Sequence, residues 1–396
     1  MPMQRRMQIM GLFGKKEIIY LDNGATTPVD PKVVEAMLPF YTEKFGNASS
    51  LHQKGQEAKR ALDEAREVIA KSVGAKFDEI YFTGSGTEAN NWVVKSLALA
   101  NPNSHIITTK IEHDCILNSC KWLESKKLAR VTYLDVDKEG FVNLEQLKKS
   151  LTRETILVSI IHGNNEIGTI QNLKEIAKIC HEKGALLHTD ACQSYMKTEL
   201  DVKKMNLDLV TLNAHKIHGP KGVGALYIRS GIKIEPFIHG GGQEMKMRSG
   251  TENVAGIVGF ATAVKLLKSS DITHIEKLRD KAIKTIIEKI PNVKLNGAWG
   301  NNRLVGNINL CFHNIEGEAI GSFLDTKGIC ISTGSACSSK SLDPSHVLMA
   351  LGMSAQDANS SVRISLGKFT TEEEIDKLLE ELPKVVSMLR KMSPLK

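Results

Sequence analysis

Short apolar runs alternate with amphipathic stretches from about Pro31 to Arg229. The runs are rich in β-branched residues, whereas the stretches between them repeat apolar positions with the period of a helix. The runs predict strands near residues 79–83, 105–109, 130–135, 156–161, 185–189, 208–212 and 223–228. The stretches predict helices over residues 31–44, 53–71, 88–100, 144–151 and 173–182. This alternation predicts an α/β fold with a mainly parallel sheet covered by helices on both faces.

The pattern changes after a glycine-rich turn at residues 239–242. Helices are predicted over residues 253–267, 274–290, 317–326, 345–351 and 371–391. Strands are predicted near residues 293–296, 307–312, 329–333 and 362–366, and the mixture indicates a smaller α+β domain. We therefore divide the chain into a flexible tail (1–16), a large domain (17–258) whose first residues pack near the small domain, and a small domain (259–396).

The composition of the 396-residue chain is that of a globular protein, since 41% of its residues are hydrophobic. The net charge of +7 is spread along the chain, apart from two short basic clusters near its start, so nucleic-acid binding is not indicated. No apolar run approaches the roughly 20 residues that cross a bilayer, and residues 1–14 are too weakly apolar for a signal peptide. We expect a cytoplasmic protein without membrane contact.

The seven cysteines include no Cys-x-x-Cys pair, which argues against a disulfide framework or a zinc module. No metal site is therefore predicted. Six of them follow the pattern of packing residues in or near apolar stretches, namely Cys115, Cys120, Cys180, Cys192, Cys311 and Cys330. Cys337 differs, because the small and polar residues around it predict an exposed loop. An accessible thiol in such a loop is a candidate nucleophile.

Titratable and amide side chains follow four of the predicted strands. The groups are Glu112-His113, Asn164-Asn165-Glu166, Asp190 with Gln193, and His215-Lys216. In an open α/β sheet the carboxyl ends of the strands share one crevice, which is where such folds bind ligands. The sequence therefore predicts one site that collects these side chains.

Lys216 follows the buried run at residues 209–212, and a lysine in that position could form a Schiff base with an aldehyde cofactor. Taken alone, it is better interpreted as an exposed loop residue, because the chain has 52 lysines and arginines. The turn at residues 84–89 follows a strand and opens a helix, so its N–H groups form a cradle for an anion. The same turn fits the loose dinucleotide pattern G-x-G-x-x-A, with Glu112 as the ribose-binding acid. A nicotinamide-dependent oxidoreductase is therefore an alternative, although it leaves Lys216 and Cys337 without a role.

Eight motifs occur in order along the chain: 20–28, 86–90, Glu112-His113, 164–168, 190–194, His215-Lys216, 247–251 and 334–337. Together they resemble the motifs of the group I cysteine desulfurases, which are pyridoxal-phosphate enzymes of the aminotransferase-like fold (fold type I). The resemblance runs from about Ile18 to the C-terminus. It implies an enzyme that supplies sulfur for iron–sulfur cluster assembly or for other thio-cofactors and tRNA thiolation.

The resemblance also implies how the cofactor ring would be held. Lys216 would bind pyridoxal phosphate covalently and then move protons between the substrate and the cofactor. Asp190 would keep the pyridine nitrogen protonated, and His113 would stack over the ring and act as an acid or a base. Gln193 and Asn164 would form hydrogen bonds to the phenolic oxygen.

The phosphate of the cofactor would lie on the cradle formed by Gly86 and Thr87, with His215 beside it. The family usually has serine where this chain has Asn213, so the contact from that position to the phosphate is an open question. Thr251 would reach the phosphate of a neighbouring subunit, which implies a homodimer.

The substrate implied by the resemblance is free L-cysteine, whose carboxylate Arg363 would bind through two parallel hydrogen bonds, with Asn164 nearby. The Cys337 thiolate would take the sulfur as a persulfide, release alanine and pass the sulfur to an iron–sulfur scaffold protein or another acceptor. A selenocysteine lyase or a cysteine sulfinate desulfinase of the same fold is an alternative. A scaffold without catalytic activity is a further alternative from another class.

Overall fold

The computed structural model describes residues 18–333 and 343–393. Its strands are β1 (Ile19–Tyr20), β2 (Ile80–Thr83), β3 (Ser104–Thr109), β4 (Ala129–Leu134), β5 (Thr155–Ser159), β6 (Leu186–Asp190), β7 (Leu209–Asn213), β8 (Gly224–Ile228), β9 (Val293–Leu295), β10 (Asn307–Phe312), β11 (Ile329–Cys330), β12 (Ser332–Thr333) and β13 (Ser361–Ser365).

Its α-helices are α1 (Pro31–Met37), α2 (Pro39–Thr42), α3 (Gln53–Ser72), α4 (Gly86–Ala100), α5 (Asp114–Ser125), α6 (Leu144–Ser150), α7 (Leu173–His181), α8 (Val254–Leu266), α9 (Ser269–Lys289), α10 (Gly317–Thr326), α11 (His346–Ala350), α12 (Ala355–Asn359) and α13 (Glu372–Met392).

The large domain is built on a seven-stranded sheet with the strand order β2-β8-β7-β6-β5-β3-β4. Neighbouring strands from β7 to β4 are parallel, and only β8 runs antiparallel to both of its neighbours. The predicted α/β class and the seven predicted strands of this domain are therefore confirmed. Because the parallel strands end together, the loops after β3, β5, β6 and β7 meet at one edge of the sheet.

Apolar side chains fill both faces of this sheet. One core packs α3, α7 and α8 against the sheet, and a second core packs α4 and α5 against the opposite face. The central strands β7 and β8 are buried along their whole length, which explains their nearly continuous apolar sequence.

The small domain contains the antiparallel sheet β12-β13-β10-β9, covered by α9, α10 and α13. Strand β1 pairs in parallel with β11, and Leu21 lies in the small-domain core, so the first described residues pack against the C-terminal part of the chain. Helix α13 begins with a capping box in which Thr371 accepts a hydrogen bond from the Glu374 N–H and the Glu374 carboxylate accepts one from the Thr371 N–H.

Helix α8 crosses the domain boundary that the sequence predicted at residue 258. Its apolar residues beyond that position, including Phe260 and Val264, belong to the core of the large domain. We propose that the large domain continues to Leu267 and that the small domain begins with α9.

Three helical details differ from the sequence prediction. The helix predicted over residues 31–44 is divided into α1 and α2 at Pro39, because proline cannot donate a hydrogen bond within a helix. Helices α5 and α12 were not predicted. Among the residues that the model describes, no helix is long and apolar enough to span a membrane. The cytoplasmic location remains a prediction.

Candidate active site

The side chains that follow the parallel strands converge on one crevice between the sheet edge and the small domain. His113, Gln193 and Lys216 line it from the large domain, and Arg363 lines it from β13 of the small domain. Sequence reasoning predicted all four for one site. Gly24, Ala25 and His346 also line the crevice, and the sequence analysis gave them no role.

The amine of Lys216 lies against the turn that contains Gly24 and Ala25. Its Nζ donates to the carbonyl oxygens of Gly24 and Ala25, the latter at 2.8 Å. The Nε2 of Gln193 donates to the same Gly24 carbonyl at 2.8 Å. Backbone carbonyls of the segment that joins β1 to α1 therefore help to hold Lys216 at the crevice.

Helix α4 begins at the crevice, immediately after β2. The Ser85 hydroxyl caps it by accepting a hydrogen bond from the Glu88 N–H at 3.1 Å. Gly86 is required at the first position, because a Cβ there would lie 2.5 Å from the Sγ of Cys192. Within the described residues, the N–H groups of Gly86 and Thr87 have no hydrogen-bond partner, as expected for the first turn of a helix. These two groups therefore remain available to an anion.

A chain of hydrogen bonds joins the end of β6 to the start of α5. The Nδ2 of Asn90 donates to the Oδ2 of Asp190 at 2.7 Å and to the Sγ of Cys115 at 3.0 Å. The Sγ of Cys115 lies 3.0 Å from the Nδ1 of His113. The other carboxylate oxygen of Asp190 accepts from the Cys192 N–H at 2.9 Å. Cys115 packs against the core beneath α4 and α5, as the sequence analysis predicted, and its thiol also has two polar contacts.

The directions of these hydrogen bonds fix the tautomer of His113. The Sγ of Cys115 lies 3.0 Å from the Nδ1 of His113, and the thiol can donate its proton to that nitrogen. The same Nδ1 also accepts from the Cys115 N–H at 3.2 Å, because His113 caps α5. Nδ1 is therefore unprotonated in the neutral ring, and Nε2 carries the proton.

Glu112 directly precedes His113 and is completely buried. One of its oxygens accepts from the Thr109 hydroxyl at 2.7 Å and from the Ile161 N–H at 2.9 Å, whereas the other has no partner among the described residues. Burial raises the pKa of Glu112 to about 8 against these two hydrogen bonds, so the carboxyl group is protonated at neutral pH.

Arg363 reaches the crevice from the middle of β13. Its Nη1 donates to the Asn165 carbonyl oxygen at 3.1 Å, and its Nη2 donates to the Oδ1 of Asp22 at 3.0 Å. The side chain is only 3% exposed. The guanidinium group is thus fixed in direction, and an incoming carboxylate would compete with Asp22 for it.

The two asparagines after β5 have different positions. The Oδ1 of Asn164 accepts from the N–H groups of Glu166 and Ile167, and its Nδ2 donates to the Ile111 carbonyl. Asn164 therefore shapes the loop and does not line the crevice, in contrast to its predicted role. Asn165 does line it, and the Oδ1 of Asn165 is buried without a partner among the described residues. The sequence offered two adjacent asparagines and no means of choosing between them.

Asn213 and His215 lie beside the start of α4. The Nδ2 of Asn213 faces Gly86, 3.8 Å from the position that a Cβ would take there, and its Oδ1 is buried without a partner among the residues described. The His215 ring contacts the Thr26 hydroxyl through Nδ1 at 3.2 Å. Burial, reinforced by the nearby Lys216, lowers the pKa of His215 to about 4, so this ring is neutral.

Two further predicted residues are not part of the described crevice. Thr251 lines a separate pocket together with Gly84 and Arg248, whose guanidinium group pairs with Glu88 at 2.8 Å. Cys337 lies outside the described residues. The last described residue before it is Thr333, which ends strand β12. This strand pairs with β13 next to Arg363.

Comparisons with known proteins identify the family of the chain. The model of the family "Aminotransferase class-V" matches residues 19–378. The chain is 51% identical over 383 residues to the cysteine desulfurase IscS of Clostridium botulinum, an alignment that covers 95% of this chain and 96% of the relative.

Two solved structures are also similar. A NifS-like protein superposes with a TM-score of 0.87 at 40% identity and covers 94% of this chain and 100% of its own. A structure described as SspA in complex with cysteine superposes with a TM-score of 0.80 at 38% identity and covers 89% of this chain and 99% of its own.

Proposed function

The chain belongs to the class-V aminotransferase family and, within it, to the pyridoxal-phosphate-dependent cysteine desulfurases, and we propose which of its residues carry out that reaction. In this assignment, Lys216 binds the cofactor and Cys337 accepts the sulfur of L-cysteine. The observation that carries it is the position of Lys216 in one crevice with His113 and Arg363, where hydrogen bonds through Asn90 and Cys115 connect His113 to Asp190.

The residues of the crevice fit pyridoxal phosphate. The N–H groups of Gly86 and Thr87 are available for the phosphate, and the Nδ2 of Asn213 faces the same cradle. The Oδ1 of Asn165 is a buried acceptor without a partner among the residues described, which is the condition expected where a ligand completes the hydrogen bonding. His215, being neutral, can donate to the phosphate or accept from it.

Bound pyridoxal phosphate supplies an electron sink that stabilises negative charge on the substrate Cα. Asp190 would face the pyridine nitrogen and would maintain that property. Asn90 and the Cys192 N–H hold both carboxylate oxygens of Asp190 by hydrogen bonds, so the carboxylate is fixed before the cofactor binds.

Two residues move protons in this proposal. Lys216 would hold the cofactor and would take the proton from the substrate Cα. His113 carries its proton on Nε2, because Nδ1 accepts from the Cys115 N–H, and it would therefore act first as a proton donor. Gln193, fixed by Gly24, lies within the same crevice and is our choice for the phenolic oxygen.

Arg363 binds the carboxylate of L-cysteine, assisted by Asn165 in place of the predicted Asn164. The guanidinium group presents parallel donors that match a carboxylate, and burial strengthens that interaction. Displacement of Asp22 from Nη2 would accompany substrate binding.

The sulfur step transfers one sulfur atom between two thiols. The Cys337 thiolate attacks the substrate sulfur, the Cβ–S bond breaks, and Cβ takes up a proton. L-Cysteine and the Cys337 thiol thus become L-alanine and a persulfide on Cys337, with no external oxidant or reductant. The persulfide then passes to an acceptor thiol, for which we propose an iron–sulfur scaffold protein.

A homodimer is the proposed working state. Large apolar side chains are exposed on and after α1 and α2, including Leu38 (57%), Tyr41 (61%), Phe45 (65%) and Leu51 (93%). An apolar surface of this kind is typical of a protein interface. Thr251, which lies outside the crevice of its own chain, would contact the partner's phosphate, and a mass measurement in solution tests the dimer.

The assignment is tested by mixing the purified protein with L-cysteine and measuring alanine, together with the mass of the intact protein. We expect an added mass of about 32 Da, one sulfur atom, on the peptide that contains Cys337. Cys337→Ala should bind the cofactor yet release little alanine, and Cys330→Ala serves as the matched control with full activity. Persulfide on another cysteine would refute the nucleophile, whereas the absence of any alanine from the parent enzyme would refute the activity.

A further inference from the structure

A second group of thiol, imidazole and carboxylate side chains lies in the small domain, away from the crevice. Cys311 is in β10, His313 follows the end of that strand, and Asp357 is in α12. Each of the three residues offers one atom that could bind a metal ion. In the described part of the chain, these three atoms all lie within 4.8 Å of one another. The proposed desulfurase reaction uses none of them.

Their mutual distances fit one small cation. The Nδ1 of His313 lies 2.8 Å from the Oδ1 of Asp357, and the Sγ of Cys311 lies 3.8 Å from that Nδ1 and 4.0 Å from that Oδ1. The centre of a triangle with these sides is about 2.1 Å from each of the three atoms. Zinc bonds to imidazole nitrogen and carboxylate oxygen are about 2.0–2.2 Å long, and those to thiolate are about 2.3 Å. An ion slightly above the plane of the triangle would therefore reach all three ligands with little movement.

The same distances disfavour a nucleophilic triad. In a cysteine–histidine–carboxylate triad, the thiol and the carboxylate contact different nitrogens of the imidazole ring. Here both face the Nδ1 of His313, so the ring cannot accept a proton from Cys311 at one nitrogen while the carboxylate orients the other. Convergence of all three atoms on one point is the arrangement of a metal site.

We propose that Cys311, His313 and Asp357 form a binding site for a divalent cation of the zinc class, separate from the crevice around Lys216. The mixed sulfur, nitrogen and oxygen ligands suit a borderline ion such as Zn²⁺ or Co²⁺ better than Mg²⁺ or Ca²⁺, which prefer oxygen ligands. Three protein ligands leave the fourth tetrahedral position to water.

The site is open to solvent on one side. The side chains of His313 and Asp357 are each 37% exposed, whereas Cys311 is buried below them. In the metal-free state, the Cys311 thiol donates to the Asp357 carbonyl oxygen at 3.3 Å, and burial followed by the Asp357 charge raises the pKa of Cys311 to about 11. Binding therefore replaces that hydrogen bond by a metal–sulfur bond and releases the thiol proton to water.

An ion at this position would join two elements of the small domain. Cys311 and His313 belong to the β10 end, and Asp357 belongs to the short helix α12, which leads directly into β13. Cys311 is also paired in register with Ser361, the first residue of β13. The ion would thus fix α12 against the strand pair that carries Arg363, as a structural clamp.

The test is a Co²⁺ titration of the full-length enzyme loaded with its cofactor, followed by visible and near-ultraviolet absorption. One equivalent of Co²⁺ should give the d–d bands of a tetrahedral site and a thiolate charge-transfer band. Cys311→Ser should abolish the charge-transfer band, and Asp357→Asn should weaken Co²⁺ binding at least about tenfold. Cys330→Ser is the matched control, because Cys330 also has a carboxylate nearby (Asp325, 3.7 Å) but no histidine partner in the described residues.

The proposal is overturned if the parent enzyme binds no stoichiometric Co²⁺, or if the charge-transfer band survives in Cys311→Ser. Loss of the band in Cys330→Ser would likewise overturn it, by placing the ion elsewhere. Asp357→Asn alters a half-exposed residue and keeps the size of the side chain, so its affinity decides the matter even if Cys311→Ser does not fold. Unchanged affinity in Asp357→Asn would refute the proposed ligand set.

Discussion

The crevice around Lys216 and the cluster around Arg303 are both buried and polar, but their hydrogen bonds are completed to different extents. In the crevice, Asn165, Asn213 and Glu112 each have a buried oxygen without a partner among the residues that the structure describes. In the cluster, Arg303 donates to the Ala298 carbonyl oxygen at 2.6 Å, to the Oδ1 of Asn307 at 2.7 Å and to the Asn296 carbonyl oxygen.

The difference separates a region built for a ligand from one built for structure. Buried polar atoms normally find partners, so unpaired atoms grouped in one crevice indicate that a bound molecule completes them. The Arg303 cluster is complete within the protein and supports the crevice from behind, because Asn307 and Asn309 both donate to the Glu166 carbonyl oxygen in the loop that carries Asn165.

The largest expected effect belongs to the crevice. Lys216→Ala should lower alanine production by about 10³-fold or more, because the residue is assigned both the covalent attachment and the proton transfer. The unfolding free energy of the metal- and cofactor-free protein should change little. Lys221→Ala, an exposed lysine five positions along the chain, is the matched control. Near-normal turnover by Lys216→Ala would contradict the proposed site.

A substitution in the Arg303 cluster should instead lower the unfolding free energy of the protein. Arg303→Met keeps the length of the side chain but leaves three buried acceptors unpaired, so the unfolding free energy should fall by about 3 kcal/mol or more. Denaturant unfolding measures this change. Arg130→Met is the control, since the Arg130–Glu154 pair is exposed and should contribute less than about 1 kcal/mol. Equal effects of the two substitutions would remove the distinction between the regions.

Arg363 shares a feature with each region. It is paired within the protein, as Arg303 is, and it also faces the crevice. Arg363→Lys retains the charge and loses the parallel donors, so the KM for L-cysteine should rise by about tenfold to a hundredfold with a smaller change in kcat. Arg229→Lys, which alters an ion pair with the buried Asp208 outside the crevice, is the matched control. If cysteine binding is unchanged in Arg363→Lys, another group recognises the carboxylate.

A smaller effect should appear in the pH dependence of stability. The pKa of Glu112 rises from its ordinary 4.5 to about 8 on folding, so folding takes up a proton and stability falls as the pH rises through that window. Glu112→Gln cannot take up the proton. Its stability relative to the parent should therefore increase between pH 5 and pH 8, by roughly 1 kcal/mol per pH unit at most.

Glu79→Gln provides a comparison of opposite sign. Burial opposes ionisation of Glu79, yet hydrogen bonds from the N–H groups of Lys76 and Ser230 outweigh it and keep the pKa of Glu79 below its ordinary value. The contribution of Glu79 to stability is fully present at pH values above its ordinary pKa. It is lost as the pH falls through the lowered pKa of the folded protein. Glu79→Gln should therefore lose most stability near neutral pH and least in acid. Parallel pH profiles for the two variants, measured by denaturant unfolding, would contradict both assignments.

Much of the fold follows from periodicity alone. The strand patterns locate all seven strands of the large sheet to within about two residues, because buried parallel strands are continuous apolar runs between polar turns. Helix α5 was not predicted, since its polar start at Asp114 follows directly on His113 and resembles a loop. Helix α12 is only five residues long, too short to show a helical period.

Only some of the residues of the candidate site could be predicted from the sequence. Lys216, Asp190, His113 and Gln193 follow strand ends, and that relation can be read from a sequence. The choice of Asn165 over Asn164 could not be read, because it depends on which asparagine the loop uses for its own backbone hydrogen bonds. Asn90 and Cys115 lie on helices, where only packing decides whether a side chain faces the crevice.

The sequence by itself determined the order of elements and the residue types available at the sheet edge, because local periodicity and chain connectivity carry that information. The tertiary structure alone decided the protonation states and the pairings. The proton on Nε2 of His113, the neutral carboxyl group of Glu112 and the meeting of Cys311 with Asp357 each depend on residues distant in sequence that burial brings together. Desolvation and hydrogen bonding act through three-dimensional neighbours, and no linear pattern records them.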